Sequence, residues 1–438
     1  MRWLRRSSAW SQSGASPAAE RSAGLRQAAA LHLFLGSTYT RGICMNSAIP
    51  SRPGKRALVL AGGGVTGAMY EIGALRALDD ALRGFSVTDF DIYVGTSAGA
   101  LVAACLANRL SPHDLVRHLE MPVDGVAPLR ISDLFAVDGG SVLRHGARLP
   151  EVLLRLLGAV LTSGGRVSLL DALEAVALAL PGGIYDGSAL ERYLAAALSR
   201  PGLTNDFRRL PRALAIIATD LDSSERVVFG EPPLDGVPIS RAVAASSAVP
   251  ILYRPVRIEG RDYVDGSVRG NASLDLAIER GATLIVCVNP LVPFDRSEAA
   301  GSPRIHDMGA PGVASQVFRT FVHAGLHYHL KQIRRRHPEV DVVLIEPGRD
   351  DLRMFSEMPM RYASRVQIVR HGYESVARHL AERPEAYRAL FARHGIDMQP
   401  RDGRDLRPAA QPRRPAPRGA HELRAALNQL EQLLDAAG

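Results

Sequence analysis

Short apolar runs, rich in β-branched residues, alternate with longer segments of helical pattern through the middle of the chain. The runs have the length and composition of buried strands, and the segments between them have the spacing of helices. The predicted strands are RALVLA (56–61), DIYVG (91–95), ALAIIATDL (213–221), ERVVFG (225–230), ATLIVCVN (282–289) and DVVLIEP (341–347), and the first two precede predicted helices over 67–82 and 98–108. Because strands without a polar side are buried on both faces, this pattern predicts a three-layer α/β/α sandwich with a mainly parallel central sheet.

Changes in composition divide the 438-residue chain into four parts. The predicted parts are a disordered basic leader (1–52), one compact domain (53–395), a Pro/Arg-rich linker (396–420) and a short amphipathic helix (421–438). Two apolar helical segments also predict a helical insertion near 140–200, inside the compact domain.

The net charge of +8 is concentrated at the two ends of the chain. Residues 51–399 together carry a net charge of only +1, whereas a nucleic-acid enzyme usually has a basic body, so no nucleic-acid partner is expected. The basic ends instead favour peripheral contact with an anionic membrane. No run of 18 or more apolar residues occurs, so no transmembrane helix is predicted. Three widely spaced cysteines form neither a disulfide framework nor a zinc motif, and they favour a reducing, cytoplasmic location.

The sequence Gly95-Thr96-Ser97-Ala98-Gly99 joins the second predicted strand to the helix that follows it. G-x-S-x-G between a strand and a helix is typical of a nucleophile elbow, in which a sharp turn raises the serine above the sheet. Small neighbours avoid clashes at such a turn, and the helix N-terminus favours developing negative charge. Ser97 is therefore a candidate nucleophile.

A glycine-rich loop with the sequence AGGGVTG follows the first predicted strand. Gly62, Gly63 and Gly64 let the backbone approach a ligand closely and present N–H groups to it. With Gly67 the loop also satisfies G-x-G-x-x-G, so a Rossmann-type dinucleotide binder is an alternative interpretation. The serine turn lies one β-α-β unit later, where a dinucleotide fold needs no serine, and this favours a hydrolase.

A candidate base lies in the sequence YVDGS, where a strand is predicted to end at Val264. The carboxylate of Asp265 at a strand end can reach a site above the sheet, and Gly266 follows it. An Asp-Gly pair by itself is more typical of a simple turn. Its occurrence after the other two motifs makes Asp265 the candidate proton acceptor.

In this order and combination, the three motifs resemble those of the patatin-like phospholipase family, over about residues 55–290. The resemblance implies a serine lipid acyl hydrolase that cleaves fatty acyl esters and needs no cofactor or metal. It implies a dyad of Ser97 and Asp265 without histidine. The glycines of the motifs would then be the oxyanion-hole residues Gly62, Gly63 and Gly64, with Gly67, Gly95, Gly99 and Gly266 as further motif positions.

Two residues depart from the family pattern. Thr66 stands where many members carry Arg or Lys, and Ser267 stands where members carry Gly or Ala. Neither change removes a reacting group, but Ser267 adds bulk beside the candidate base. Asp220 is interpreted as a turn or strand-end residue, and the pair Ser246-Ser247 as the close-packed start of a helix.

Two further interpretations stay open from the sequence. One is a catalytically idle scaffold that keeps the fold. The other is a Ser–Asp–His triad, for which the histidines after the aspartate are His306, His323, His327, His329, His337 and His371. His323 and His327 lie four residues apart on one predicted helix, and no acidic ligand is evident nearby. The pair is therefore interpreted as a polar helix face rather than a metal site.

Overall fold

The computed structural model describes residues 43–44, 54–123, 125–137, 183–299, 301–357 and 359–399. The predicted terminal helix, nearly all of the predicted leader and linker, and the part of the predicted insertion before Gly183 lie outside these residues. The domain boundaries proposed from the sequence therefore stay predictions.

The predicted strands are all present, and their observed ends differ from the predicted ones by at most two residues. The strands are β1 (Ile43–Cys44), β2 (Lys55–Leu60), β3 (Leu82–Arg83), β4 (Ile92–Thr96), β5 (Ala136–Val137), β6 (Gly183–Asp186), β7 (Ala213–Asp220), β8 (Arg226–Phe229), β9 (Ile251–Tyr253), β10 (Val256–Ile258), β11 (Arg261–Asp265), β12 (Ala282–Val288), β13 (Asp341–Ile345) and β14 (Asp397–Met398).

Nine of these strands form one mixed sheet in the order β1-β13-β12-β2-β4-β7-β11-β10, with β8 paired to β7. The central neighbours β13, β12, β2, β4 and β7 are parallel, and the outer pairings are antiparallel. In register, Leu60 at the end of β2 lies beside Gly95 in β4 and Val288 in β12. The loops that leave these three strands therefore start at one level of one sheet edge.

Helices follow most of the strands and cover the sheet. They are α1 (Gly64–Ala81), α2 (Ala98–Ala107), α3 (Pro112–Glu120), α4 (Ile131–Leu134), α5 (Ser188–Leu198), α6 (Ile239–Ser246), α7 (Leu274–Glu279), α8 (Gly309–Arg336), α9 (Leu352–Ser356), α10 (Arg365–Glu382) and α11 (Pro384–Ala392). Within the described ranges, no helix combines the length and the apolar character needed to cross a bilayer.

Alternate residues of the central strands supply two separate cores. Leu58 and Leu60 of β2 pack into one cluster with residues of α1, α2 and α10, whereas Ala57 and Val59 pack into the other with residues of α7 and α8. All four strand residues are fully buried. Each Leu or Val side chain buried in this way stabilises the fold by about 1.5–3 kcal/mol. The predicted three-layer sandwich with a mainly parallel central sheet is thus confirmed.

The helix after the glycine loop starts at Gly64, three residues earlier than the sequence pattern predicts. Glycine has low helix propensity, so the pattern gave no signal for a helix at this point. A remote loop holds the first turn, since the Thr66 N–H donates to the backbone oxygen of Pro359 at 3.0 Å. Gly63 and Gly64 therefore belong to the helix N-terminus, as the N-cap and the first helical residue.

Candidate active site

Ser97 occupies the sharp turn between β4 and α2, as predicted. Its backbone has φ 53° and ψ −121°, and its side chain is almost fully buried. A non-glycine residue in this region costs about 1–3 kcal/mol, so neighbouring structure must hold it there. The following helix passes very close to β2, because a Cβ placed on Gly99 would lie 2.4 Å from the Leu60 oxygen. Glycine at position 99 therefore permits the turn.

Two serine side chains at the end of α6 hold the backbone of Ser97 from both sides. Ser246 Oγ accepts a hydrogen bond from the Ser97 N–H at 2.8 Å and donates one to the oxygen of Ile217. Ser247 Oγ donates to the Ser97 oxygen at 3.3 Å. The sequence interpretation of this pair as the start of a helix is wrong, because α6 begins near Pro238 and ends at Ser246. The available signal was a serine at the end of an apolar helix, because Ser246 is fully buried and a buried hydroxyl group requires a partner.

Asp265 is the last residue of β11 and lies close to Ser97. The strand register sets Asp265 beside Ala218 of β7, one residue beyond the level of Thr96. Burial raises the pKa of the Asp265 carboxyl, whereas side-chain hydrogen bonds from Ser97 and Ser267 and a bond from the Ser267 N–H lower it; the net shift is upward. The Ser267 N–H lies 2.8 Å from Asp265 Oδ1. The predicted nucleophile and the predicted base are therefore neighbours.

The glycine loop passes directly beside Ser97. A Cβ placed on Gly62 would lie 3.3 Å from the Cβ of Ser97. The Gly62 N–H, however, donates to Asn271 Oδ1 at 3.0 Å, so it is directed towards that side chain. Gly63 caps α1, and Gly64 adopts φ +64°, which favours glycine. Among the described residues, neither N–H of these last two glycines has a protein acceptor.

The other predicted glycines lie at the same sheet edge. Gly67 donates its N–H to the oxygen of Gly63 at 3.1 Å, inside the first turn of α1. Gly95 packs against the backbone of α2, and Gly266 packs against β7, where an added Cβ would lie 2.4 Å from the Ile217 oxygen. These positions shape the backbone around the serine and the aspartate.

A chain of polar side chains runs from the glycine loop to two histidines, and the sequence pattern did not predict it. Asn271 Nδ2 donates to Asn289 Oδ1 at 3.0 Å, and Asn289 Nδ2 donates to Glu346 Oε1 at 2.7 Å. The Glu346 carboxylate in turn lies against His323 and His327. The missed signal was a polar residue near the end of each of two apolar predicted strands, since Asn289 and Glu346 directly follow the observed strands β12 and β13.

The histidines of the alternative triad have other partners. In the described part of the chain, the groups that lower the pKa of the Asp265 carboxyl belong to Ser97 and Ser267, and the Ser267 N–H donates to Asp265 Oδ1. His371 lies against Asp351, and His329 lies nearest to Asp275. These contacts give no support to a Ser–Asp–His triad.

The fold and the site define an α/β/α protein with a strained serine turn beside a glycine-rich helix N-terminus. The sequence profile of the patatin-like phospholipase family matches residues 58–278, about half of the chain. The chain therefore belongs to the patatin-like phospholipase family, as the motifs predicted. The alternative of a Rossmann-type dinucleotide binder is not supported by this membership.

Similar proteins have been found in bacteria and a virus. The chain is 26% identical to the uncharacterized protein YqhO of Bacillus subtilis (strain 168) over 225 residues, 49% of this chain and 63% of that protein. It is 18% identical to the probable lipid hydrolase 463L of Invertebrate iridescent virus 6 over 230 residues, 51% of this chain and 63% of that protein. The match thus spans less than two thirds of the length of either curated relative.

Two solved structures resemble the chain at low identity. VipD from Legionella pneumophila aligns with a TM-score of 0.36 and 18% identity, over 80% of this chain and 72% of VipD. ExoU from Pseudomonas aeruginosa, solved in complex with SpcU, aligns with a TM-score of 0.31 and 18% identity, over 76% of this chain and 54% of that chain.

Proposed function

We propose that the protein is a serine lipid acyl hydrolase, a carboxylic ester hydrolase of the patatin-like phospholipase type. The observation that carries the proposal is the convergence of Ser97, Asp265 and the glycine loop at one sheet edge. Family membership and the similarity to a protein named a probable lipid hydrolase support a lipid substrate.

In the acylation step, Ser97 Oγ attacks the ester carbonyl while Asp265 accepts the hydroxyl proton. The C=O electrons move to the carbonyl oxygen, and the N–H groups of Gly63 and Gly64 stabilise this oxyanion together with the N-terminus of α1. The intermediate collapses by breaking the bond to the leaving alcohol, which takes the proton from Asp265. Gly62 is left out of the oxyanion hole, because its N–H is directed to Asn271.

In the deacylation step, Asp265 accepts a proton from a water molecule that attacks the acyl-enzyme. The fatty acid leaves, and Ser97 recovers its proton from Asp265. The raised pKa of Asp265 makes this carboxylate a stronger base than an exposed aspartate, which suits a dyad without histidine. Removing one oxyanion donor typically lowers kcat by about 100- to 1,000-fold.

The proposed substrate is a lipid or acyl ester, and the proposed setting is cytoplasmic, with peripheral contact with an anionic membrane and no nucleic-acid partner. The basic ends of the chain support the membrane contact. The cysteines Cys105 and Cys287 are free and buried, which agrees with a reducing compartment.

Hydrolysis of a p-nitrophenyl acyl ester and labelling by a fluorophosphonate probe test the proposal. Ser97→Ala is expected to abolish labelling and to lower kcat by at least about 1,000-fold, and Asp265→Asn is expected to lower kcat strongly while leaving the serine in place. Ser223→Ala, which changes an exposed turn serine, is the matched control and should behave as wild type. Equal rates for Ser97→Ala and wild type would refute the dyad, and an unlabelled wild type would favour the idle scaffold.

A further inference from the structure

His323, His327 and Glu346 form a compact group at the sheet edge. The two histidines lie one turn apart on α8, and their ring centroids are 4.0 Å apart. Glu346 directly follows β13, which brings its carboxylate under the helix. His323 Nε2 lies 3.7 Å from Glu346 Oε1, and His327 Nε2 lies 3.2 Å from Glu346 Oε2. The sequence had placed the histidine pair on a polar helix face, without an acidic neighbour.

We propose that His323, His327 and Glu346 bind a divalent transition-metal ion of the zinc type. Two imidazole nitrogens and one carboxylate are a donor set that zinc prefers, and magnesium and calcium prefer all-oxygen sites. One ligand atom from each residue lies within 4.8 Å of the others. Tetrahedral zinc with bonds of about 2.1 Å separates its ligand atoms by about 3.4 Å, so small side-chain rotations bring the donors into position.

Neighbouring groups hold the Glu346 carboxylate in place and leave it accessible to an ion. The Asn289 amide donates to Glu346 Oε1, which fixes the carboxylate as outer-shell partners of metal ligands do. The three side chains stay about one fifth exposed, which gives an ion a path from solvent and leaves room for a water ligand.

The site is connected to the glycine loop by the polar chain already described. Glu346 accepts from Asn289, which accepts from Asn271, which accepts from the Gly62 N–H. An ion bound by Glu346 would therefore lie at one end of a hydrogen-bonded path to the glycine loop. The binding test below does not depend on the proposed hydrolase activity, because it measures only the metal.

The test is zinc binding by the full-length, tag-free chain. The chelator-treated protein is dialysed against zinc chloride alone, and bound metal is measured by mass spectrometry and by titration calorimetry. We expect one tightly bound zinc per wild-type chain and loss of that site in His327→Ala and in the isosteric Glu346→Gln. His329→Ala changes the same helix away from the group, near Asp275, and is expected to keep the ion.

Absence of tight zinc binding by the wild type, or equal binding by all variants, would overturn the proposal. Thermal unfolding of each variant in the presence of chelator shows whether the metal-free protein is folded before zinc is added. Zinc at 100-fold above its Kd is expected to raise the melting temperature of wild type and His329→Ala by several degrees, and to leave that of Glu346→Gln unchanged. An equal rise for Glu346→Gln would also refute the site.

Discussion

Ser267 is expected to control the pH at which the candidate base becomes active. Burial raises the pKa of the Asp265 carboxyl, and the Ser267 hydroxyl is one of the groups that lower it. Ser267→Ala removes this hydroxyl and keeps the backbone N–H that donates to Asp265 Oδ1 at 2.8 Å. The perturbation therefore removes one stabilising contact to the charged form and leaves the dyad intact.

The upper limit of the change in the Asp265 pKa follows from the charge of the hydrogen-bond acceptor, the ionised Asp265 carboxyl. A hydrogen bond to a charged group contributes about 1.5–3 kcal/mol, and one pKa unit corresponds to about 1.4 kcal/mol. Because the Ser267 hydroxyl lowers the pKa of Asp265 less than the Ser97 hydroxyl and the Ser267 N–H do, its loss in Ser267→Ala raises that pKa by less than this amount. Because the base must be ionised to accept a proton, activity is present above this pKa and is lost as pH falls through it. The acid limb should therefore move upwards, by less than about one unit.

The measurement is kcat/KM for a p-nitrophenyl acyl ester in buffers that span the acid limb. The Oγ of Ser267 also packs against Gly62, where it lies 2.1 Å from the position of an added Cβ. Loosening of the loop would lower the plateau rate, whereas the pKa effect moves the midpoint, so the two effects are separable. Ser223→Ala serves as the control. An unmoved or lowered midpoint would show that Ser267 does not stabilise the ionised base.

Three other variants test separate parts of the site and fold. Ser246→Ala leaves the N–H of the strained serine turn unpaired, which costs about 1–3 kcal/mol of stability, and we expect kcat to fall about tenfold. Glu71→Gln removes a fully buried carboxyl without a hydrogen-bond partner, whose pKa burial raises well above 4.5. Above pH 4.5, the free energy of unfolding of the wild type therefore falls by about 1.4 kcal/mol per pH unit. The free energy of unfolding of Glu71→Gln, measured in urea, should exceed that of the wild type by a margin that grows with pH. Gly99→Ala presses a Cβ against Leu60 and should lower the melting temperature by several degrees.

Each of these variants has a matched comparison. Ser247→Ala loses one longer hydrogen bond, at 3.3 Å, and should lower kcat less than Ser246→Ala; the reverse order would contradict the assigned contacts. Glu71→Gln should unfold like wild type near pH 4.5, so a pH-independent difference would exclude a buried neutral acid. Gly236→Ala adds a methyl group where no atom lies within 4 Å, and a loss as large as that of Gly99→Ala would exclude the steric cause.

The sequence predicted the sheet well because its central strands are buried on both faces. A strand such as ATLIVCVN has no polar side, so its limits appear directly in the composition, and the observed strand Ala282–Val288 differs by one residue. The start of α1 at Gly64 was not predictable in this way. It depends on a hydrogen bond from Thr66 to Pro359, which lies almost three hundred residues further along the chain.

The candidate site likewise has residues that the sequence predicts and residues that it does not. Ser97 and Asp265 were identifiable as candidates because their motifs contain a hydroxyl and a carboxyl group and stand at predicted strand ends. The groups that hold the site carry no local motif: Ser246 reaches the Ser97 amide across 149 residues, and Asn271 reaches the Gly62 amide across 209. Only the packing of distant elements brings such partners together, so a pattern read along the chain cannot indicate them.

Each half of the candidate site is anchored by a buried polar side chain of its own. Ser97 has a backbone conformation that costs free energy, and the hydroxyl of Ser246 satisfies its amide at 2.8 Å while being fixed to Ile217. The glycine loop is anchored at Gly62 by Asn271, so that the next two amides remain available at the helix N-terminus. Because a dyad has no third residue to orient the base, the geometry must come from such supports. In the proposed dyad, the surrounding fold therefore positions the candidate nucleophile and base.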